Sequence, residues 1–124
     1  MEQEYIKGDI VMYDSRIHTI MDTLGVNNYE LSYINHSVHQ LELSGVPITP
    51  EILEKNGWRT QNSWYYYLDV AEGFISYIGI DFKHKSNKGH LYVEVNGNNM
   101  VEIQYCHELQ HFLFGLGLNS EMEV

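Results

Sequence analysis

The chain holds a single cysteine, Cys106, in 124 residues. A lone thiol closes no internal disulfide, so nothing argues for an oxidising compartment. Long apolar runs are also missing: no stretch approaches the ~20 residues a membrane-crossing helix needs. The opening MEQEYIKGD is acidic and lacks an apolar core, which reads as no signal peptide. Basic residues are few, 7 Lys and Arg against 17 Asp and Glu, for a net charge of −10. Such a field repels phosphate backbones and disfavours nucleic acid as a partner. Repeats, low-complexity tracts and linkers are lacking as well. These absences lead to the expectation of one soluble, acidic, cytoplasmic domain over residues 1–124, with no membrane contact.

Apolar and aromatic material is plentiful. Hydrophobic residues make up 44% of the chain, and there are ten tyrosines. A chain of this size can bury roughly two-thirds of its unfolded surface, enough for a core without metal or disulfide support. The first third reads as short strands: Asp9–Tyr13, Arg16–Met21 after a turn at Asp14-Ser15, Tyr29–Ile34, and a further strand over Val38–Leu43. Leu24–Asn28 reads as a loop. A short helix is then well punctuated. Thr49 is an N-cap, Pro50 suits the first helical position, Glu51 suits the dipole, and Gly57 falls at the left-handed terminator. Trp64–Asp69 and Phe74–Ile80 have strand composition. Leu91–Val95 and Met100–Ile103 flank Asn96-Gly97, a strong hairpin signal. A last helix is expected over Gln104–Leu116. The sum predicts an α+β fold: a small antiparallel, partly barrel-like sheet, one short central helix, and one C-terminal helix packed on it.

The most specific local pattern is His107-Glu108-Leu109-Gln110-His111, H-E-x-x-H. In zinc hydrolases such a helix offers two histidines one turn apart to the metal, and its glutamate serves as general base. A third protein ligand is needed, and the usual places do not supply it. Phe114 and Gly117 stand where a longer zinc motif would place glycine and histidine. Only Glu121 and Glu123 follow in a short tail. His18, His36, His39, His84 and His90 carry no ligand spacing. Helical phase gathers Tyr105, Cys106, Leu109, Phe112, Leu113 and Leu116 on one apolar stripe and turns both histidines towards water. With seven histidines and twelve glutamates in the chain, an isolated match is weak. The sequence therefore assigns no catalytic residue, no metal site and no cofactor. A zinc hydrolase with His107 and His111 as ligands and Glu108 as base is the alternative.

Three blocks carry a resemblance. Ile103–Leu116 resembles the C-terminal helix of small uncharacterised proteins of gut-bacterial genomes, phages and mobile elements, which typically reads KYVHQLQNLYFALTG. Val46–Trp58 is similar to their PIxLTEEILxKxGF, and Ile6–Val11 resembles their opening RIGNxV. In that pattern position 108 is usually glutamine and position 111 usually asparagine, so H-E-x-x-H looks like two substitutions on an exposed face. Leu118-Asn119 departs from the usual threonine-glycine ending. The resemblance implies fold and genomic context and no activity.

Other candidates read as structural. Trp64-Tyr65-Tyr66-Tyr67 could form a stacking platform for a nucleobase, sugar or peptide. Period-two burial explains it more simply, with Trp64, Tyr66 and Leu68 inward and Tyr65 and Tyr67 on a half-covered face. Cys106 lies on the apolar stripe as a core residue. Lys83-His84-Lys85, with Lys88 and His90, reads as a solvated loop before it reads as an anion contact. Asp14, Asp22, Asp69 and Asp81 show no paired-carboxylate spacing. The expectation is a non-enzymatic binding protein of phage or mobile-element origin whose partner is another protein.

Overall fold

The computed structural model describes residues 5–124, and for Glu72 the backbone alone. Residues 1–4, which contribute to the signal-peptide reading, lie outside the described residues. The chain forms two compact units. One is built from residues up to Pro47 together with Tyr105–Met122, the other from Ile48–Gln104 with Glu123–Val124. Each contains a five-stranded antiparallel sheet and one helix, so the class is α+β as expected, with the strands divided between two sheets. None of the helices among the described residues is long and apolar enough to cross a membrane.

In the first unit the strands are β1 (Ile10–Tyr13), β2 (Arg16–Thr23), β3 (Asn28–Leu31), β4 (Ser37–His39) and β5 (Ser44–Gly45), in the spatial order β4-β3-β2-β1-β5. Asp14 and Ser15 both take positive φ, 49° and 64°, and form the two-residue turn between β1 and β2. The register shifts between Ile20 and Asp22, a bulge that bends β2 and helps the sheet curl. Val11, Ile20, Tyr29, Leu31 and Val38 fill the concave side with Tyr5. The strand expected over Val38–Leu43 is broken, because Gln40–Glu42 form a 3₁₀ turn. His39 Nδ1 accepts the Leu41 N–H, and the Glu42 carboxylate accepts the His39 N–H. These local bonds compete with the ladder. The turn also buries Gln40, whose Oε1 accepts from the Tyr29 hydroxyl at 2.7 Å. Helix α2 (Cys106–Gly115) completes the unit, with Cys106, Leu109, Gln110 and Leu113 buried.

In the second unit helix α1 (Pro50–Lys55) precedes β6 (Arg59–Thr60), β7 (Tyr65–Glu72), β8 (Ile75–Asp81), β9 (Leu91–Val95) and β10 (Asn98–Ile103), which lie side by side in reverse chain order. Thr49 caps α1 through its hydroxyl, which accepts the Ile52 N–H. Gly57, at φ +86°, ends it. Asn96 and Gly97 make the β9–β10 turn with φ of 52° and 87°. Strand register decides which side chains share a face. Tyr66, Ile80 and Val93 form one cross-strand row, and all three are buried. Burying each such side chain contributes about 1.5–3 kcal/mol. The opposite face carries Arg59, Tyr67, Gly79 and Glu94.

Candidate binding surface and the HELQH helix

On the second sheet the alternate residues form a row of Arg59, Tyr67, Gly79 and Glu94 across β6, β7, β8 and β9. Asp69 and Tyr77 pair in the neighbouring row. Gly79 leaves a gap in the middle of this aromatic face, and the Tyr65 ring leans into it. A Cβ at position 79 would lie 1.9 Å from the Tyr65 hydroxyl oxygen, so no larger residue fits with Tyr65 in this place. Through the gap the Tyr65 hydroxyl donates to Glu94 Oε1 at 3.0 Å. Burial, then the neighbouring Glu94 carboxylate and Tyr77, raise the Tyr65 phenol well above its ordinary range, so it stays protonated and donating. Beside it opens a hollow of about 370 Å³ lined by Gln61, Asn62, Tyr65, Tyr67, Asp69 and Tyr77. Arg59 touches two of these lining residues. Its guanidinium lies 5.3 Å from the Tyr67 ring centroid and forms an ion pair with Asp69.

Period-two burial holds for Tyr66, which is buried, and for Tyr65 and Tyr67, which are half-covered; Trp64 and Leu68, expected inward with Tyr66, are only half-buried. Arg59, Asp69, Tyr77, Gly79 and Glu94 were not read as parts of one site. They are spread over four strands, with Tyr77 and Gly79 two residues apart on β8, and only the ladder register unites them. The one sequence signal was parity, since Tyr65, Tyr67 and Asp69 alternate.

The H-E-x-x-H residues sit in the first unit, and their surroundings differ from the helical-phase reading. His107 and His111 are half-buried, not turned freely to water. Helical phase fixes the side of α2 that faces the sheet. It carries no information on the lead-in to β1, about a hundred residues earlier, which covers the flank. His111 Nε2 lies 2.7 Å from Asp9 Oδ2, and Asp9 is 2% exposed. Asp9 Oδ2 also accepts the Ile6 N–H. Burial holds the Asp9 carboxyl above its ordinary value, although the Ile6 and His111 bonds pull the other way. The His107 ring meets Tyr5 edge-on at 4.9 Å, stacks on Tyr105 at 5.8 Å and stands 5.8 Å from the His111 ring. Its Nδ1 is buried with no hydrogen-bond partner among the described residues. Burial lowers the His107 pKa, so the ring is neutral near pH 7. Glu108 turns back to the start of α2, where its carboxylate accepts the Tyr105 N–H at 2.9 Å in a capping box.

Three of the other five histidines considered as ligands have structural work. His18 Nδ1 bonds the Ser32 carbonyl at 2.8 Å, His39 caps the 3₁₀ turn, and His84 Nδ1 pairs with Asp81 at 2.9 Å. Among the described residues no three His, Cys, Asp or Glu side chains are grouped to take one metal ion. The basic loop is organised by Asp81, which accepts the Lys83 and His84 N–H groups and the His84 ring. Burial alone would raise the Asp81 carboxyl, but these bonds outweigh it and lower the value. Lys83 lies 5.3 Å over the Trp64 ring. Cys106 is fully buried, and burial pushes its thiol up to about 12. The chain matches no known protein family, no characterised protein and no solved structure.

Proposed function

We propose that this chain is a non-enzymatic binding protein of phage or mobile-element context, and that it docks another protein on the tyrosine face of its second sheet. The observation that carries the reading is the hollow between Tyr65, Tyr67 and Tyr77. The core does not need these rings, because the opposite face of the same strands supplies Tyr66, Ile78, Ile80 and Val93 to it. Aromatic side chains with a polar tip, held by a sheet, suit protein contacts: they bury much area and lose little rotamer freedom. The zinc alternative is less well supported. Glu108, its general base, is engaged in capping α2, and His111 is aimed at Asp9.

The test is replacement of Tyr67 and Tyr77 by alanine in a protein whose circular dichroism is unchanged. Association with the physiological partner is expected to fall at least about tenfold, as for hot-spot tyrosines. Undiminished association would refute the assignment of this face. Elemental analysis of protein purified without added metal addresses the alternative. Stoichiometric zinc that disappears on His107→Ala would favour the hydrolase.

A further inference from the structure

We infer that the tyrosine hollow is a receptor for a guanidinium group, an arginine side chain of the partner, which takes the place Arg59 holds in the free chain. The inference rests on the reading above that this face binds a protein. Its support is the site's own behaviour towards a cation. Arg59 already lies over the Tyr67 ring and pairs with Asp69, so two residues that line the hollow hold a planar cation between one aromatic face and one carboxylate. That pairing is loose. The Arg59 and Asp69 side chains remain 65% and 56% exposed, and exposed pairs bias an equilibrium by no more than about fivefold. An incoming arginine can displace Arg59 and use more of the hollow, because Tyr65 and Tyr77 also line it.

The remaining groups select for positive charge. The Glu94 carboxylate, held by the Tyr65 hydroxyl, stands beside the hollow as a fixed negative charge. Gln61 and Asn62 also line the hollow; Asn62 Oδ1 already accepts the Trp64 and Tyr65 N–H groups, so the Gln61 amide and the Asn62 NH2 are left for the backbone around the inserted residue. A net charge of −10 steers a basic segment towards the chain and an anionic one away. Arginine is preferred to lysine because a flat guanidinium stacks on a ring while its fork bonds a carboxylate.

The experiment is a nuclear magnetic resonance titration of the full chain with a short glycine-rich peptide carrying one arginine, and with the same peptide carrying neutral citrulline. The arginine peptide is expected to shift the Gly79 and Tyr67 signals saturably and to bind about tenfold more tightly than the citrulline peptide. Asp69→Asn should weaken it. Arg59→Ala should strengthen it by up to about fivefold, because the internal competitor is gone. A purely structural Arg59 would not produce that gain, and Arg59→Gln serves if the alanine variant is unstable. Equal binding of the two peptides, or no gain in either Arg59 variant, overturns the inference. The two readings separate with the physiological partner. If Tyr67→Ala abolishes its binding but replacing the partner's arginines does not, the guanidinium assignment falls and the protein-binding reading stands. A partner indifferent to Tyr67→Ala and Tyr77→Ala removes both.

Discussion

Replacing Gln110 by alanine should destabilise the first unit by about 2–4 kcal/mol, from the loss of one buried side-chain amide. Strand β5 pairs with β1 only at Val11 and Met12. Beyond that the edge of β1 passes to Gln110, whose Oε1 accepts the Ile10 N–H at 2.9 Å and whose Nε2 donates to the Gly8 carbonyl at 2.9 Å. A residue of a parallel strand bonds its neighbour in the same way, taking one N–H and one C=O two residues apart. Nε2 also donates to the Ser120 carbonyl at 3.0 Å and ties down the chain after the helix. Gln110 is 3% exposed and Ile10 likewise 3%. In the variant the Ile10 N–H is left buried without an acceptor, which costs about 1–3 kcal/mol. The two carbonyls are closer to solvent and recover water. Lost packing adds about 1 kcal/mol, and the better helix propensity of alanine returns a few tenths. Urea unfolding read by linear extrapolation, with exchange of the Ile10 amide followed in parallel, measures both the total and its local origin. A loss below about 0.5 kcal/mol, or unchanged protection of the Ile10 amide, would show that the amide does not act as a surrogate strand.

Three further outcomes follow from the same structure. Because burial lowers the His107 pKa below its ordinary 6.5, the unfolded chain takes up the proton first. Stability is then full above pH 6.5 and declines as pH falls through the lowered folded value. Urea midpoints between pH 7 and 5 should show this slope, and His107→Gln should flatten it; an unchanged slope would contradict the assignment. Cys106, buried with its thiol pushed up to about 12, should react with a disulfide reagent at pH 8 only as fast as the unit opens. Labelling that ignores urea concentration would refute this. Gly45→Ala would place a Cβ 2.4 Å from Cγ of the Tyr105 ring and 2.8 Å from its Cβ, a contact no rotation of the ring relieves. The expected loss is about 1–3 kcal/mol in a melting experiment, with helix α2 affected first because Tyr105 is its N-cap.

The elements themselves were legible wherever the controlling chemistry is local. Thr49, Pro50 and Gly57 announced α1 at both ends because capping, a fixed φ and a left-handed residue act within one turn of chain. Asn96-Gly97 announced its hairpin for the same reason. The strand that failed, Val38–Leu43, was broken by bonds between His39, Leu41 and Glu42 that hydrophobic patterning does not weigh. The alternation of Tyr65, Tyr66 and Tyr67 told which rings face the core, since pleating enforces a period of two.

What lay beyond local chemistry was which distant residues become neighbours. Composition and spacing made α+β the class, placed Cys106 and Tyr66 inside, and left the H-E-x-x-H helix short of a third ligand. Nothing in residues 103–116 could reveal that Asp9 and Tyr5 lie against His111 and His107, because chain folding joins segments about a hundred residues apart. Likewise the row of Arg59, Tyr67, Gly79 and Glu94 exists only through strand register, and a shift of one residue would send alternate side chains to the other face. Short-range dihedral preferences are written residue by residue along the chain. Long-range adjacency depends on how whole sheets pair, and there the free energy belongs to the assembled ladder rather than to any one segment.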